Sequence, residues 1–347
     1  MNTQKYARYF EPILFGASNE SYRSQVRRVY DVMNPPADCT FDNFYHRFKM
    51  YKSKKAKLKI KEHSNSTRND ITPRNAFSRL LNTLAPDPNP LNLPKSKESI
   101  YTPFKLPKTA TDILLLSDIH IPYHNIEALT LALQYGMQHN VNTIILNGDL
   151  IDFYAISRFE KDPRKRDLAH EVNTCREFLT ILRKLFPTQE IYFKCGNHDV
   201  RFEHYIMRQA PDLLGLGEYN LETLLKLEQH RITFIPDKQI IHAGQLTILH
   251  GHELGKSVFS PVNVARSLYM KAKDNAICGH HHQTSEHTEP SINGKVVTCW
   301  SVACLSELSP DYHPVGNKYT HGFAHIKVEP SGDFEVQNLR IIKGRIR

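Results

Sequence analysis

The hydrophobic and polar positions along the chain change period several times, and each change marks an element. Asp112–Leu116 is a short, nearly all-apolar run, which suits a buried strand. A helical pattern follows over Ile126–Gln138, then a second apolar run at 143–146. The helical pattern over 168–186 is longer, with Val172, Cys175, Phe178, Leu179 and Leu182 on one face. Glu190–Lys194 reads as a third strand. Strand and helix alternating in this way predict a sheet with crossover helices, parallel in part. Farther on, strands dominate, at 231–235, 239–242, Leu246–Leu249, 295–299, 323–328 and 333–341. An α/β fold of two stacked mixed β-sheets flanked by helices accommodates both halves.

The first part of the chain has a different texture. Tyr22, Val26, Val29, Tyr30 and Met33 recur at helical spacing, and Asn34-Pro35-Pro36 ends that helix because proline cannot continue the hydrogen-bond ladder. Asp38 or Thr40 can cap a second helix, whose stripe of Phe41, Phe44, Phe48 and Tyr51, flanked by Tyr45, faces inward. Arg47, Lys49, Lys52, Lys54, Lys55, Lys57, Lys59 and Lys61 crowd its other sides. The pair has the outline of a helix-turn-helix reader, an outline shared by helical hairpins that bind nothing. Residues 63–110 hold seven of the twenty prolines and read as an extended linker with a short helix at 75–84. Three parts are therefore expected: a basic helical module at 1–62, a proline-rich linker at 63–110 and the α/β domain at 111–347.

Charge sharpens that division. Of the net +9, residues 1–62 carry +7, from 13 Lys and Arg against 6 Asp and Glu, which leaves +2 for the remaining chain. A nearly neutral body with a basic head points to a polyanionic partner, with a solvated lysine-rich helix as the plain alternative. No apolar run approaches the ~18 residues a membrane span needs, and the first residues lack a signal-peptide core, so no membrane partner and a cytoplasmic location are expected. The six cysteines form no CxxC pair, which argues against a disulfide framework or a zinc knuckle.

The nineteen histidines are not scattered evenly. Predicted strands run into Ser117-Asp118-Ile119-His120, Asn147-Gly148-Asp149-Leu150-Ile151-Asp152, Cys195-Gly196-Asn197-His198-Asp199, His250-Gly251-His252 and Gly279-His280-His281-His282. Ligands of open α/β sheets bind beyond the carboxyl ends of strands, so these five ends line one crevice. If the segments stay extended, the alternation in Asp118-Ile-His120 and His280-His-His282 puts each pair on one face. Asp118, His120, Asp149, Asn197, His250, His280 and His282 then supply four imidazoles, two carboxylates and a carboxamide. With Asp149 as a shared carboxylate, the set serves two divalent cations with four ligands each. Mixed nitrogen and oxygen donors suit manganese, iron or zinc, manganese first, better than calcium or magnesium.

The ordered series DxH, GDxxD, GNH(D/E), H, GHxH, complete here from Asp118 to His282, resembles the calcineurin-like metallophosphoesterase superfamily. Gly-Asn-His-Asp alone arises by chance about once in 10⁵–10⁶ positions at ordinary residue frequencies. The resemblance covers roughly residues 112–305. It implies a four-layer sandwich and phosphoester hydrolysis by a hydroxide shared between two cations, one held by Asp118, His120, Asp149 and His282, the other by Asp149, Asn197, His250 and His280. It also implies that His198 is not a ligand but faces the phosphate and the leaving oxygen as acid, with Asp152 fixing its tautomer; capping the next helix is the alternative for Asp152.

The substrate is less legible. The segment 153–166 places Arg158, Lys161, Arg164, Lys165 and Arg166 beside Phe153, Tyr154 and Phe159, a mixture fit to hold backbone phosphate and stack bases, or simply to be a solvated loop. Arg201 is a further candidate for a substrate phosphate, or for a surface salt bridge. The leading expectation is a nuclease or phosphodiesterase acting on DNA. The alternatives are a small-molecule or nucleotide phosphatase, a cyclic-nucleotide phosphodiesterase, or a non-catalytic scaffold. Nothing in the sequence indicates an oligomeric state.

Overall fold

In the computed structural model, strand β2 (Asp112–Leu116) sends Ile113 and Leu115 into one hydrophobic core and Leu114 and Leu116 into another. This two-sided burial explains why its sequence is a continuous apolar run rather than an alternating one. The residues described are 7–15, 21–33, 39–62, 93–160, 162–255, 262–311 and 313–347. They divide into two units, Met1–Ser99 and Ile100–Arg347.

In the second unit, β2 lies in a seven-stranded sheet ordered β13-β12-β11-β2-β3-β4-β5. Its other members are β3 (Thr143–Asn147), β4 (Glu190–Lys194), β5 (Ile232–Ile235), β11 (His321–Val328), β12 (Phe334–Ile342) and β13 (Arg345–Ile346). β2 to β5 are parallel, whereas β11 runs antiparallel to both β2 and β12. A six-stranded sheet ordered β1-β6-β7-β8-β10-β9 contains β1 (Phe104–Lys105), β6 (Ile241–Ala243), β7 (Leu246–Leu249), β8 (Ala276–Cys278), β9 (Ser285–Pro290) and β10 (Val296–Ser301). Between the sheets, Ile113, Leu115 and Ile145 meet Ile241, Ile248 and Ile277. On the outer face of the larger sheet, α4 (Ile126–Gln138), α5 (Leu168–Leu185) and α6 (Arg201–Gln209) bury residues such as Leu129, Leu179 and Phe202. α8 (Val264–Ala272) covers the smaller sheet through Val264, Ala265 and Leu268. The result is the expected α/β arrangement of two mixed sheets flanked by helices.

Several details depart from the pattern read along the chain. β1 falls within the segment expected to be linker, and pairs in parallel with β6. β9, Ser-Glu-His-Thr-Glu-Pro, has no apolar stripe because it is a solvated edge paired with β10. α7 (Leu221–Leu224) is a single turn, ended where Lys226 takes a left-handed conformation, φ 55°. The remainder of the proline-rich segment, including 75–84, lies outside the described residues up to residue 92, as does the Asn34-Pro35-Pro36 stop.

The first unit contains α1 (Ala7–Phe15), α2 (Tyr22–Met33) and α3 (Phe41–Glu62). Its core is Phe10, Ile13, Val26, Cys39, Phe44, Phe48 and Tyr51. The expected stripe of α3 is therefore buried at Phe44, Phe48 and Tyr51, while Tyr22 is exposed. α1 is an addition to the two helices expected.

Parallel order within β2, β3 and β4 brings Leu116, Leu146 and Phe193 level. Leu249 and Cys278 are level in the smaller sheet. The five motif-bearing loops thus leave their sheets side by side. Because Leu115 is fully buried between the sheets, Leu115→Ala is expected to cost about 2–5 kcal/mol, measured as a lower urea midpoint with an unchanged transition slope.

Candidate metal centre

Main-chain contacts tie the loop beyond β2 to the loop beyond β3, and the loop beyond β8 to the loop beyond β7. Asp118 N–H donates to Gly148 O at 3.1 Å, and Gly279 N–H to His250 O at 2.8 Å. The Asp118 carboxylate accepts from Ser117 Oγ at 2.6 Å and from His280 N–H at 2.9 Å. His120 Nε2 lies 3.1 Å from His282 Nε2, which is 3.3 Å from Asp118 Oδ1. Asp149 Oδ2 lies 3.7 Å from His120 Nε2 and 3.3 Å from His250 Nε2. Asn197 Oδ1 is 3.3 Å from His250 Nε2. Ligand-capable atoms converge within 4.8 Å in the groups Asp118, His120, His282 and Asp149, His250, His280. All seven residues singled out in the sequence thus lie in one cluster, and Asp149 reaches both groups.

They do not converge by the route expected. Asp118, His120, Asp149, His280 and His282 all have positive φ, from 52° to 68°. The DxH and HxH pairs are therefore left-handed kinks in irregular loops rather than extended strand, and period-two alternation is not what aligns them. A non-glycine residue in this region costs on the order of 1–3 kcal/mol, so surrounding contacts must hold it.

Three sets of contacts brace these loops. The buried Asp199 carboxylate accepts the N–H groups of Asp149, Leu150, Ile151 and Gly196 at 2.7–3.2 Å, tying the loop after β3 to the loop after β4. The Glu253 carboxylate accepts from His250 N–H and Gly251 N–H, and is itself paired at 3.0 Å with Lys194, which is fully buried. Asn147 O receives His250 Nδ1 at 2.8 Å, aiming Nε2 at the carboxylates. Glycine is required beside them: a Cβ on Gly279 would lie 2.6 Å from Asp118 Oδ2, and one on Gly148, at φ 82°, would collide with the His250 ring, 2.6 Å from its Cγ. Asp199 closes the Gly196-Asn197-His198-Asp199 motif, but nothing in that spacing signals its supporting role. Lys194 had a local signal, a lone cation ending an apolar strand just before Gly196-Asn197.

The electrostatics follow from burying carboxylates among imidazoles. Burial alone would raise the Asp118 carboxyl, but His282 and His250 more than reverse it and hold it below the usual carboxylate range. Asp149 is likewise held down against burial, by His250 and His198. His250 is pushed up to about 10, since Asp149 and Asp118 outweigh its burial. His280 falls to about 3 through burial and the neighbouring His250. Burial, with Asp149 nearby, lifts Asp199 to about 6.

Asp152 is buried, with Oδ2 3.0 Å from His120 Nδ1 and 3.2 Å from His198 Nδ1, so it orients two rings rather than capping a helix. His198 Nδ1 also lies 3.1 Å from Asp152 O, and Arg201 Nη2 is 2.9 Å from His198 Nε2. A guanidinium only donates, so Nε2 is the accepting atom and Nδ1 carries the hydrogen. Arg201 further donates to Asp152 O at 2.8 Å, placing it in the cluster rather than in a surface salt bridge.

The other arginines are elsewhere engaged. Arg164 is bound to Asp162 on an exposed turn, Arg166 donates to Ala155 O, and Arg158 lies 5.3 Å from the Phe159 ring centre. Phe153 is not available to stack a base: it is fully buried against Phe202. Lys161 lies outside the described residues. His252 pairs with Asp237 at 2.6 Å, and His204 is exposed.

The donor set fits divalent cations. Two buried carboxylates and converging imidazole nitrogens are drawn together, and His280 Nδ1 is buried with no hydrogen-bond partner. Among the described residues no helix is long and apolar enough to cross a membrane.

A family model for calcineurin-like phosphoesterases matches residues 111–297. Gene 54 protein of Mycobacterium phage L5 is 26% identical over 178 residues, 49% of this chain and 69% of that protein. Among solved structures, a single mutant of Vps29 from Entamoeba histolytica is 15% identical with a TM-score of 0.35, covering 68% of this chain and 96% of that one. Pseudomonas putida nuclease MPE is 13% identical with a TM-score of 0.30, covering 67% and 85%.

Two outcomes are expected. Gly279→Ala, which drives a methyl group against Ser117 and Asp118, lowers divalent-cation affinity about 10–100-fold, titrated by calorimetry with Mn²⁺ as the probe, with an unchanged far-UV spectrum. Lys194→Met leaves Glu253 buried without its cation and costs about 3–5 kcal/mol in denaturant unfolding.

Proposed function

The chain belongs to the calcineurin-like phosphoesterase family, a membership that makes it a metal-dependent phosphoester hydrolase, and on that premise we propose that its substrate is DNA, cleaved as a phosphodiester. The carrying observation is the double cluster joined at Asp149, 3.7 Å from His120 Nε2 and 3.3 Å from His250 Nε2. In this reading Asp118, His120, Asp149 and His282 hold one divalent cation, and Asp149, Asn197, His250 and His280 hold a second, with manganese the native metal. Bound there, such cations lower the pKa of water and neutralise charge on a phosphoryl group.

The remaining chemistry falls to side chains beside the cluster. His198 has Nδ1 fixed by Asp152, so Nε2 is the atom that takes up and delivers a proton to the leaving oxygen. Arg201, already at that nitrogen, is the cation that meets a non-bridging phosphate oxygen. Arg158 and Phe159, both exposed, support contact with a longer polyanion beyond the scissile bond. A cytoplasmic, bacterial or phage setting belongs to the same proposal, supported by six free cysteines and the phage relative.

Single- and double-stranded DNA are expected to be cut with Mn²⁺ and spared with EDTA. His198→Ala should reduce turnover about 10²–10⁴-fold at unchanged metal content. Arg201→Gln should raise KM more than it lowers kcat. Rapid hydrolysis of nucleotides or cyclic nucleotides with both DNA forms left intact would overturn the substrate assignment and favour a phosphatase or cyclic-nucleotide phosphodiesterase.

A further inference from the structure

In the N-terminal unit, four cations are pinned over one floor of aromatic rings. Arg27 lies 4.5 Å from the Phe41 ring centre, and Arg23 lies 5.5 Å from that of Tyr45 and 5.8 Å from that of Phe41. Lys49 is 4.9 Å from Tyr45, and Lys52 is 3.8 Å from Tyr22. Phe41 and Tyr45 are stacked, centroids 5.9 Å apart and 15° between planes. On α3 the positions 41, 45, 49 and 52 recur at i, i+4, i+8 and i+11, a single stripe. It runs beside the buried stripe of Phe44, Phe48 and Tyr51, on a side shared with Arg23 and Arg27 of α2. Both arginines are largely exposed, 65% and 56% at the side chain.

We infer that this α2–α3 face docks the phosphate backbone of duplex DNA. Charge complementarity carries the choice of partner: residues 1–62 have a net +7, and α3 continues past Lys52 through Lys54, Lys55, Lys57, Lys59 and Lys61. Spacing agrees. From 41 to 52 the helix rises ~16 Å at 1.5 Å per residue, a length comparable to about five base-pair steps measured along the duplex axis at 3.4 Å each. The rings hold the cations in a row, so little side-chain freedom remains to be lost on binding. The opposing acids do not block the face: Arg23–Asp42 at 3.4 Å and Arg27–Asp31 at 3.3 Å are exposed pairs, the kind that phosphates displace readily. Nothing in this docking needs the metal cluster, so the surface extends the DNA-directed reading without resting on hydrolysis.

The test is anisotropy of a short labelled DNA duplex with the full chain in EDTA, repeated across a salt series. Binding is expected to weaken steeply with salt. The variant Arg23→Gln/Arg27→Gln/Lys49→Gln/Lys52→Gln should bind at least about tenfold more weakly near 0.1 M salt, and its log–log salt slope should be shallower by about 3–4, one counterion term per lost phosphate contact. Arg23→Lys/Arg27→Lys should keep the slope. If the fourfold variant does not fold, as judged by circular dichroism, the pairs Arg23→Gln/Arg27→Gln and Lys49→Gln/Lys52→Gln should each flatten it by about 2. None of these changes should alter Mn²⁺-dependent turnover of bis(p-nitrophenyl) phosphate, which separates failure of this surface from failure of the catalytic reading. Absence of duplex binding by the native chain, or folded variants with native affinity and slope, would overturn the inference.

Discussion

One buried carboxylate holds the cluster's geometry in place. Asp199 accepts four main-chain N–H groups from two loops, and those loops carry Asp149, Asn197 and His198. Without an acceptor there, Asp149 would have little reason to remain in a left-handed conformation that disfavours side chains. An acid this deeply enclosed is costly to ionise, and Asp149 nearby adds to the cost. The main-chain donors offset part of that cost. Ligand placement therefore rests on a residue that is not itself one of the ligands.

The second loop pair uses the same device with an added partner. Glu253 gathers the N–H groups at the start of the His250 turn, and Lys194, buried at the end of β4, neutralises it. Because Lys194 belongs to one sheet and Glu253 to a loop of the other, the ion pair also fixes one sheet's rim against the other's. Hydrophobic contact between the sheets sets their separation, whereas these charged contacts set which side chains meet at the rim.

The sequence was most informative where burial dictates residue type. Strands at Asp112–Leu116, Glu190–Lys194 and Leu246–Leu249 are readable because an apolar run so short has few other uses. The cluster was readable because Asp, Asn and His recur where those strands end. Conformation was not. Positive φ at Asp118 and His280 leaves no trace in composition, and the extended spacing read into DxH and HxH was the wrong cause for a convergence the structure does contain. Edge strands such as β9, with no apolar face, were invisible for the complementary reason. Phe153 looked available for stacking because an aromatic beside arginines has two fates, and only packing against Phe202 decides between them.

The two-sided burial of β2 has a further consequence. A strand apolar on both faces can slide by one residue and still match both cores, since Ile113, Leu114, Leu115 and Leu116 are near-equivalent in bulk. Its phase is therefore set at its exit, where Ser117 bonds to Asn147 O and Asp118 to Gly148 O. Foldability and chemistry are written in separable parts of the same strand. A lineage could drift in the turn, lose catalysis outright and keep an intact shell free to acquire other work.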